Sequence, residues 1–283
     1  MGILSQLENP KFRATKSDKA LIEYIKTDLD NFIYKSISVI ASESNVGEAT
    51  ITRFTKKMGF SGFQDFKVTL AKELSVKKNT SAISSHVHKD EGVIETANKL
   101  LKSTIDILEG TTEKINSNTI NLCKNLIMDS KRIYFVGIGY SGVVATDINY
   151  KFMRIGFNST PITDSHTMVI MSSIMNSDDA IIAVSHSGVT KEIVKTVQQA
   201  KENGVKIITL TQDTDNPLRR LADYELTYVS GETILETGSI SSKIPQIFLL
   251  DLVYTEIIKE MFNEAVERKV KTTNAIEVYN DSI

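Results

Sequence analysis

The spacing of hydrophobic and polar positions changes character near residue 130. Before that point, apolar residues recur every three or four positions, which predicts amphipathic helices. After it, short apolar runs alternate with helical patterns, which predicts a parallel sheet with helices on both faces. The pattern therefore indicates an all-α N-terminal unit followed by an α/β unit.

The first 78 residues contain the signals of a helix-turn-helix. An apolar stripe over residues 18–34 predicts a helix, and Ser36 is placed to cap a short one after it. Residues 45–47 form a turn, residues 48–58 the next helix, and a further helix opens at residues 61–62. A short helix, a tight turn and a second helix, with more helices around them, describe that motif.

The second helix of this motif has one apolar side, made of Ile51, Phe54 and Met58, which we expect to be buried. Its other residues are small, hydroxylated or basic, as on a helix that enters the major groove: Ala49, Thr50, Thr52, Arg53, Lys56 and Lys57. An arginine can fork onto a guanine edge, and lysines can neutralise phosphates. The alternative is a solvated polar face on a small bundle, and the pattern alone does not separate the two.

Charge is divided unevenly along the chain. Residues 1–78 carry 13 Lys and Arg against 9 Asp and Glu, a net charge of +4, whereas the remainder carries 20 against 26, a net charge of −6. A small basic unit on a larger acidic body suggests separate tasks. A charge of +4 is too modest to establish a nucleic-acid partner alone.

Five apolar runs predict the strands of the second unit: residues 132–136, 158–162, 180–184, 205–210 and 224–229. In such folds ligands lie beyond the carboxyl ends of the strands. Two turns rich in glycine and serine, residues 137–142 and 185–190, follow the first and third strands. We therefore expect both turns on one rim of the sheet.

The turn at residues 185–190 suits a phosphate. Its hydroxyls belong to Ser185, Ser187 and Thr190, and a helical pattern begins directly after it. The first N–H groups of a helix have no partner within the helix and attract anions. The alternative is structural: Thr190 caps the helix and the serines merely turn the chain.

A second alternative is a dinucleotide site. Gly137, Gly139 and Gly142 satisfy G-x-G-x-x-G, and Asp164 lies where such folds keep a ribose-binding acid. This interpretation does not account for the second hydroxyl-rich turn.

Composition excludes other classes. Cys123 is the single cysteine, so no intramolecular disulfide forms, and its apolar neighbours make it a core residue. His86 and His88 lack further ligands for a metal site. No apolar run reaches the length of a membrane span, and the N-terminus lacks a signal-peptide core, so we expect a cytoplasmic protein.

The motifs GIGYSG, SHSGVTKE and GSISSKIPQIFLLD together resemble the three signatures of the SIS (sugar isomerase) domain. VGEATITRFTKKMGFSGF is similar to the helix-turn-helix of the RpiR family of transcriptional regulators. The resemblance implies a helix-turn-helix domain (1–78), a linker with a connecting helix (79–115), an SIS domain (116–263) and a C-terminal tail (264–283). It implies a flavodoxin-like αβα sandwich, with five parallel strands, for the SIS domain.

The resemblance also implies residue roles. Ser141, Ser185, Ser187 and Thr190 match the residues that contact the sugar phosphate, and the residues of the basic helix named above match the DNA-reading helix. Ser241 and Ser242 match paired serines near the sugar. The role of His186 is open, and Glu236 stands where many members have a basic residue.

SIS isomerases place a catalytic glutamate on the third-motif helix, but residues 242–246 contain no carboxylate, which favours a sensor over an enzyme. The expectation is a regulator with no catalytic residue, cofactor or metal, whose partners are double-stranded operator DNA and a phosphosugar effector. It acts as a homodimer or homotetramer, away from membranes. The alternatives are a phosphosugar isomerase or lyase and a nucleotide-binding oxidoreductase.

Overall fold

A computed structural model describes residues 2–33, 35–78, 87–88, 90–230 and 240–281. These residues group into two compact units, divided within one helix after Asp106. The first part of the segment predicted as a linker with a connecting helix (79–115) lies mostly outside the described residues, and so does Glu236.

The first unit is helical. Its helices are α1 (Ile3–Glu8), α2 (Lys16–Thr27), α3 (Leu29–Phe32), α4 (Ile37–Ser44), α5 (Glu48–Lys57) and α6 (Phe63–Lys78). The predicted helix over residues 18–34 is divided at Asp28, and α1 was not predicted. Ser36 caps α4 as expected, since its hydroxyl accepts a hydrogen bond from the Val39 N–H at 3.2 Å.

The helix-turn-helix is formed by α4 and α5. Asn45 adopts the left-handed conformation that ends α4, with φ of 53°. Ile51 and Phe54 are fully buried and Met58 is 4% exposed, as the pattern predicted. The Phe54 ring packs edge-on against Phe66 with centroids 6.2 Å apart. Burying one such ring stabilises the bundle by roughly 1.5–3 kcal/mol, so this apolar side fixes which face α5 leaves exposed.

The helices of the remaining chain are α7 (Val93–Thr112), α8 (Ser117–Asp129), α9 (Tyr140–Arg154), α10 (Ser165–Ile174), α11 (Lys191–Glu202), α12 (Ile240–Glu260) and α13 (Phe262–Asp281). The strands are β1 (Arg132–Val136), β2 (Ser159–Ile162), β3 (Asp179–Val184), β4 (Lys206–Gln212) and β5 (Tyr224–Tyr228). The second unit contains the end of α7, all five strands, and α8 onward apart from the first residues of α12.

The five strands form one parallel sheet in the order β2-β1-β3-β4-β5. Residues from α8, α9 and α12 pack in one apolar layer against the sheet, and residues from α10 and α11 pack in another. The Arg132 guanidinium holds the buried carboxylate of Asp179 through two hydrogen bonds of 2.7 and 2.8 Å, tying the starts of β1 and β3 together. The predicted α/β sandwich is therefore confirmed.

No secondary structure was predicted from the sequence for two parts of this unit. The connection between β2 and β3 contains α10, which was not predicted. The segment described as a C-terminal tail, residues 264–283, is helical through Asp281 as part of α13. That helix packs on the sandwich, because Ala265 is buried and the Arg268 guanidinium donates a hydrogen bond to the Ile155 carbonyl at 2.7 Å.

Candidate functional site

The strand order places a crevice between β1 and β3. The chain leaves β1 toward β2 on one side and continues through β3 to β5 on the other, so the order reverses between these neighbours. Val136 and Ala183 are register partners near the carboxyl ends of these two strands. Ligands of open α/β sheets bind at such a switch point. The two glycine- and serine-rich turns follow β1 and β3, so they flank this position.

Side chain to backbone hydrogen bonds hold the turn after β3. The Ser185 hydroxyl accepts a bond from the Gly188 N–H at 3.2 Å and lies 3.4 Å from the Thr190 hydroxyl. The Ser187 hydroxyl accepts from the Val189 N–H at 3.4 Å. Thr190 occupies the N-cap position of α11 without a side-chain capping bond. Thr190 therefore makes no side-chain cap, whereas the hydroxyls of Ser185 and Ser187 do hold the turn, as the structural alternative supposed.

The turn after β1 brings Ser141 to the first turn of α9, where it is half-buried. A β-carbon on Gly137 would lie 2.6 Å from the Ser141 carbonyl oxygen, and one on Gly142 would lie 2.9 Å from the Gly137 carbonyl oxygen. Close approach of the turn to its own helix therefore requires glycine at both positions. Gly137 and Gly142 are therefore required by the conformation of this turn, whatever it binds.

The third motif forms the start of α12. Ser242 is buried, whereas Ser241 is half-buried in the same turn. Between this turn and the first motif, the Lys243 ammonium lies 5.3 Å from the centroid of the Tyr140 ring, next to Ser141. Such a contact is a cation–π interaction worth about 0.5–1 kcal/mol at exposed sites. The start of α12 thus meets the turn after β1.

His186 connects the second motif to the interior. Its Nδ1 lies 2.8 Å from the hydroxyl of Tyr228, the last residue of β5. Burial lowers the pKa of His186 to about 4, so the ring is neutral near pH 7. Tyr228 was not singled out in the sequence because it stands 42 residues from His186 and is one of several aromatic residues in strands.

Asn216 is a second residue that the sequence analysis missed. It is buried in the loop after β4, and the Leu218 N–H in the same loop donates to the Gly188 carbonyl at 3.1 Å. The Asn216-Pro217 pair marks a turn, but nothing local shows that this turn supports another one.

The candidate DNA-binding surface is the exposed side of α5. Ala49, Arg53, Lys56 and Lys57 are exposed, while Thr50 and Thr52 are half-buried. The Arg53 guanidinium donates to the Thr50 hydroxyl at 2.9 Å, which orients its fork across the surface. These residues lie on the side predicted from the buried face.

Lys57 forms an ion pair with a buried carboxylate. Its ammonium lies 2.7 Å from a carboxylate oxygen of Asp18, a residue only 1% exposed. The same carboxylate accepts a hydrogen bond from the Thr15 N–H in the capping box that begins α2. The basic group nearest the end of α5 therefore stabilises the bundle, whether or not it contacts DNA.

The described parts of the chain also bear on metal binding, on the reactivity of the cysteine and on membrane insertion. They contain no group of three His, Cys, Asp or Glu side chains that could hold a metal ion. Cys123 is fully buried, and burial raises the pKa of its thiol to about 12, which makes it a poor nucleophile. None of the described helices has the length and apolar character needed to cross a membrane.

Comparison with known proteins agrees with this division of the chain. Residues 1–77 match the family model of the helix-turn-helix domain of the rpiR family, and residues 126–256 match that of the SIS domain. An HTH-type transcriptional regulator of Clostridium perfringens is 75% identical over 98% of this chain and 99% of its own. Another, from Haemophilus influenzae, is 33% identical over 97% and 96% of the two chains.

Solved structures show the same fold. NanR of Vibrio vulnificus, determined in complex with ManNAc-6P, aligns with a TM-score of 0.83 and 23% identity over 98% of both chains. The sugar isomerase domain of an RpiR transcription factor from Sphaerobacter thermophilus aligns with a TM-score of 0.58 and 22% identity over 63% of this chain and 98% of its own.

A helix-turn-helix unit joined to a sugar isomerase fold defines a transcriptional regulator. The two relatives are matched along nearly their whole length, so the comparison covers both units of this chain. The chain belongs to the RpiR family.

Proposed function

We propose that this chain is a DNA-binding regulator of carbohydrate metabolism whose affinity for its operator is controlled by a phosphosugar bound at the β1/β3 switch point. The observation that carries the proposal is the turn after β3. It combines three hydroxyl groups with the start of a twelve-residue helix at the one position where the strand order reverses.

The physical basis of phosphate binding is the start of α11. Its first N–H groups have no carbonyl partner within the helix, and the helix dipole makes this end electropositive. Ser185, Ser187 and Thr190 add hydroxyl donors to the same turn. Ser141, at the start of α9, supplies another hydroxyl from the neighbouring strand end. Together these groups would surround a phosphate dianion with donors.

The sugar would occupy the space toward α12. The proposed contacts for the sugar are Ser241 and Ser242, because both stand in the first turn of that helix. NanR, which shares the fold, was solved with ManNAc-6P. We therefore take ManNAc-6P as the first ligand to test, within a panel of hexose, pentose and amino-sugar phosphates.

A sensor is favoured over an isomerase by the composition of α12. Isomerisation of a phosphosugar needs a base that moves a proton between neighbouring carbons. The first acidic residue on α12 is Asp251, more than two turns beyond Ser242, and its carboxylate is paired with Lys151. The alternative, a phosphosugar isomerase or lyase, would need a base from outside this helix.

DNA binding is proposed for the exposed side of α5. In this proposal Arg53 reads a base edge and Lys56 contacts a phosphate, with Ala49, Thr50 and Thr52 close to the groove and Lys57 at its edge. A homodimer or homotetramer would present two such helices to a pseudo-palindromic operator. A regulator of this kind acts in the cytoplasm, where the chromosome is.

Isothermal titration calorimetry tests the ligand site. Wild-type protein and a Ser187→Ala/Thr190→Ala variant are titrated with ManNAc-6P and with the rest of the panel. The proposal predicts a phosphosugar that binds the wild type and not the variant. A Ser173→Ala/Ser177→Ala variant, which removes two exposed hydroxyls before β3, should bind as the wild type does. Unchanged affinity in the first variant would place the phosphate elsewhere.

A further inference from the structure

One buried hydroxyl joins the second and third motifs. The Tyr228 oxygen lies 2.8 Å from Nδ1 of His186, and the Gln246 side-chain amide donates a hydrogen bond to it at 2.5 Å. Tyr228 is fully buried and Gln246 is 2% exposed. Buried polar groups of this kind are costly to leave unpaired, so the contacts hold the three side chains in fixed positions.

The number of protons limits the directions of these hydrogen bonds. A tyrosine hydroxyl has a single proton to donate. It accepts from the amide of Gln246, and we infer that it donates its own proton to Nδ1 of His186. In that arrangement the neutral imidazole carries its proton on Nε2. Burial lowers the pKa of His186 to about 4, which agrees with a neutral ring at and above pH 5.

The three residues belong to three different segments. His186 stands between Ser185 and Ser187 in the turn that we assign to the phosphate. Gln246 follows Ser242 by four positions on α12, so the two side chains share one face of that helix. Tyr228, at the end of β5, is fixed by the sheet itself.

We propose that Tyr228 is a positioning residue of the ligand site: its hydroxyl sets the orientation of the phosphate turn through His186 and that of the first turns of α12 through Gln246. This inference rests on the proposed function of the site. It adds a residue that touches no ligand and yet determines how the two motifs face each other. His186 in the turn and Gln246 in the helix stand 60 positions apart (246 − 186), and this hydroxyl gives the two segments a common anchor.

The test compares two tyrosine-to-phenylalanine variants. Tyr228→Phe removes the hydroxyl and keeps the ring in the core. Tyr134→Phe is the matched control, because Tyr134 is 4% exposed on β1 and packs in the other apolar layer. For Tyr228→Phe we expect about ten-fold weaker binding of ManNAc-6P, the size of effect that follows when a buried polar group loses its partner. Tyr134→Phe should bind as the wild type does.

A second measurement does not depend on any variant. Nitrogen NMR of ¹⁵N-histidine-labelled wild-type protein at pH 7 should show His186 with an unprotonated Nδ1 and a protonated Nε2.

If Tyr228→Phe fails to fold, Gln246→Leu replaces it, with the same expected loss of affinity. Undiminished binding in the folded variant, or a protonated Nδ1 in the wild type, would overturn the proposal.

The two proposals fail in different ways. If the wild type binds neither ManNAc-6P nor any other phosphosugar, and inorganic phosphate does not perturb the amide resonances of residues 185–190, the proposed function fails. The His186 tautomer still decides whether Tyr228 orients the turn. If a phosphosugar binds the wild type and the Tyr228→Phe variant equally, only the positioning role is lost.

Discussion

The side-chain amide of Asn216 lies directly over the α-carbon of Gly188. A β-carbon at Gly188 would come within 2.0 Å of the Asn216 Oδ1 and 2.2 Å of its Cγ. Asn216 is held in place, because its Nδ2 donates to the Thr214 carbonyl at 2.9 Å and its Oδ1 accepts from the Arg219 N–H at 3.0 Å. Gly188 itself has a φ of 64°, which L side chains rarely adopt. The loop after β4 therefore packs against the turn at residues 185–190 and supports it.

Gly188→Ala should disturb this turn strongly. The left-handed backbone costs about 1–2 kcal/mol for a non-glycine residue, and the clash with Asn216 adds to that cost. We expect loss of ManNAc-6P binding in calorimetry and a lower melting temperature. Gly110→Ala is the control, because its β-carbon would meet Val229 only at an ordinary 3.5 Å and the position is helical. Binding of normal strength by Gly188→Ala would show that the turn is not the phosphate site.

The ion pair between Lys57 and Asp18 predicts different effects for adjacent lysines. Lys57→Ala should lower the free energy of unfolding of the first unit by about 1–2 kcal/mol, since Asp18 is buried but Lys57 is partly exposed to solvent. Lys56→Ala should change it by no more than about 0.5 kcal/mol, as usual for an exposed side chain. Urea unfolding followed by circular dichroism measures both. Equal effects would mean that the ion pair contributes nothing.

The same pair predicts a dependence on pH. Burial acts to raise the pKa of Asp18, but the hydrogen bonds from Lys57 and Thr15 outweigh it and hold this pKa below its ordinary value. A carboxylate with a lowered pKa in the folded state contributes stability above the ordinary value, about 3.9. That contribution disappears as the pH falls through the pKa of the folded state. Acid unfolding of the first unit should therefore begin at a higher pH in Lys57→Ala, and identical acid transitions would contradict this.

The exposed side of α5 predicts two kinds of DNA-binding defect. Arg53→Ala should cost roughly 1–3 kcal/mol on the operator and little on random DNA, because base contacts specify. Lys56→Ala should weaken both alike and reduce the slope of log K against log salt by about one. Fluorescence anisotropy of both variants across a salt series separates the two. If Arg53→Ala weakens operator and random DNA equally, α5 docks in another orientation.

The lack of an acidic residue on α12 before Asp251 predicts the absence of turnover. In heavy water, ManNAc-6P and the other panel members should show no protein-dependent exchange of the C2 proton, as followed by NMR. A phosphosugar isomerase that acts through an enediol should catalyse that exchange. Exchange above background would replace the sensor with the isomerase alternative.

Local patterns were sufficient for elements with a continuous apolar run or a single apolar face. The strand over residues 132–136 was predicted with the bounds that it has, because Ile133 to Val136 are all apolar and β-branched or aromatic. The faces of α5 followed from Ile51, Phe54 and Met58 alone. The short helix α10 was missed because Val169, Ile170 and Ile174 are exposed, so its apolar residues do not mark a single buried face.

The supports of the candidate site could not be predicted in the same way. The hydroxyls of the turn are visible in the sequence because they stand next to one another. The contacts of Gly188 with Asn216, of His186 with Tyr228 and of Tyr228 with Gln246 join residues 18 to 42 positions apart. They depend on the order of the strands, which places β4, β5 and α12 beside the turn, and no local pattern carries that information.

The central claim is that a phosphosugar changes the affinity of this protein for DNA. An operator is first selected from random-sequence duplexes with the wild-type protein, and its Kd is then measured with and without the phosphosugar that calorimetry finds bound. Saturating ligand should change that Kd by about five-fold or more, the usual lower limit of coupling between two sites. Ser187→Ala/Thr190→Ala should bind the operator and show no change. An operator Kd that stays constant while the wild type is saturated with phosphosugar would contradict the account.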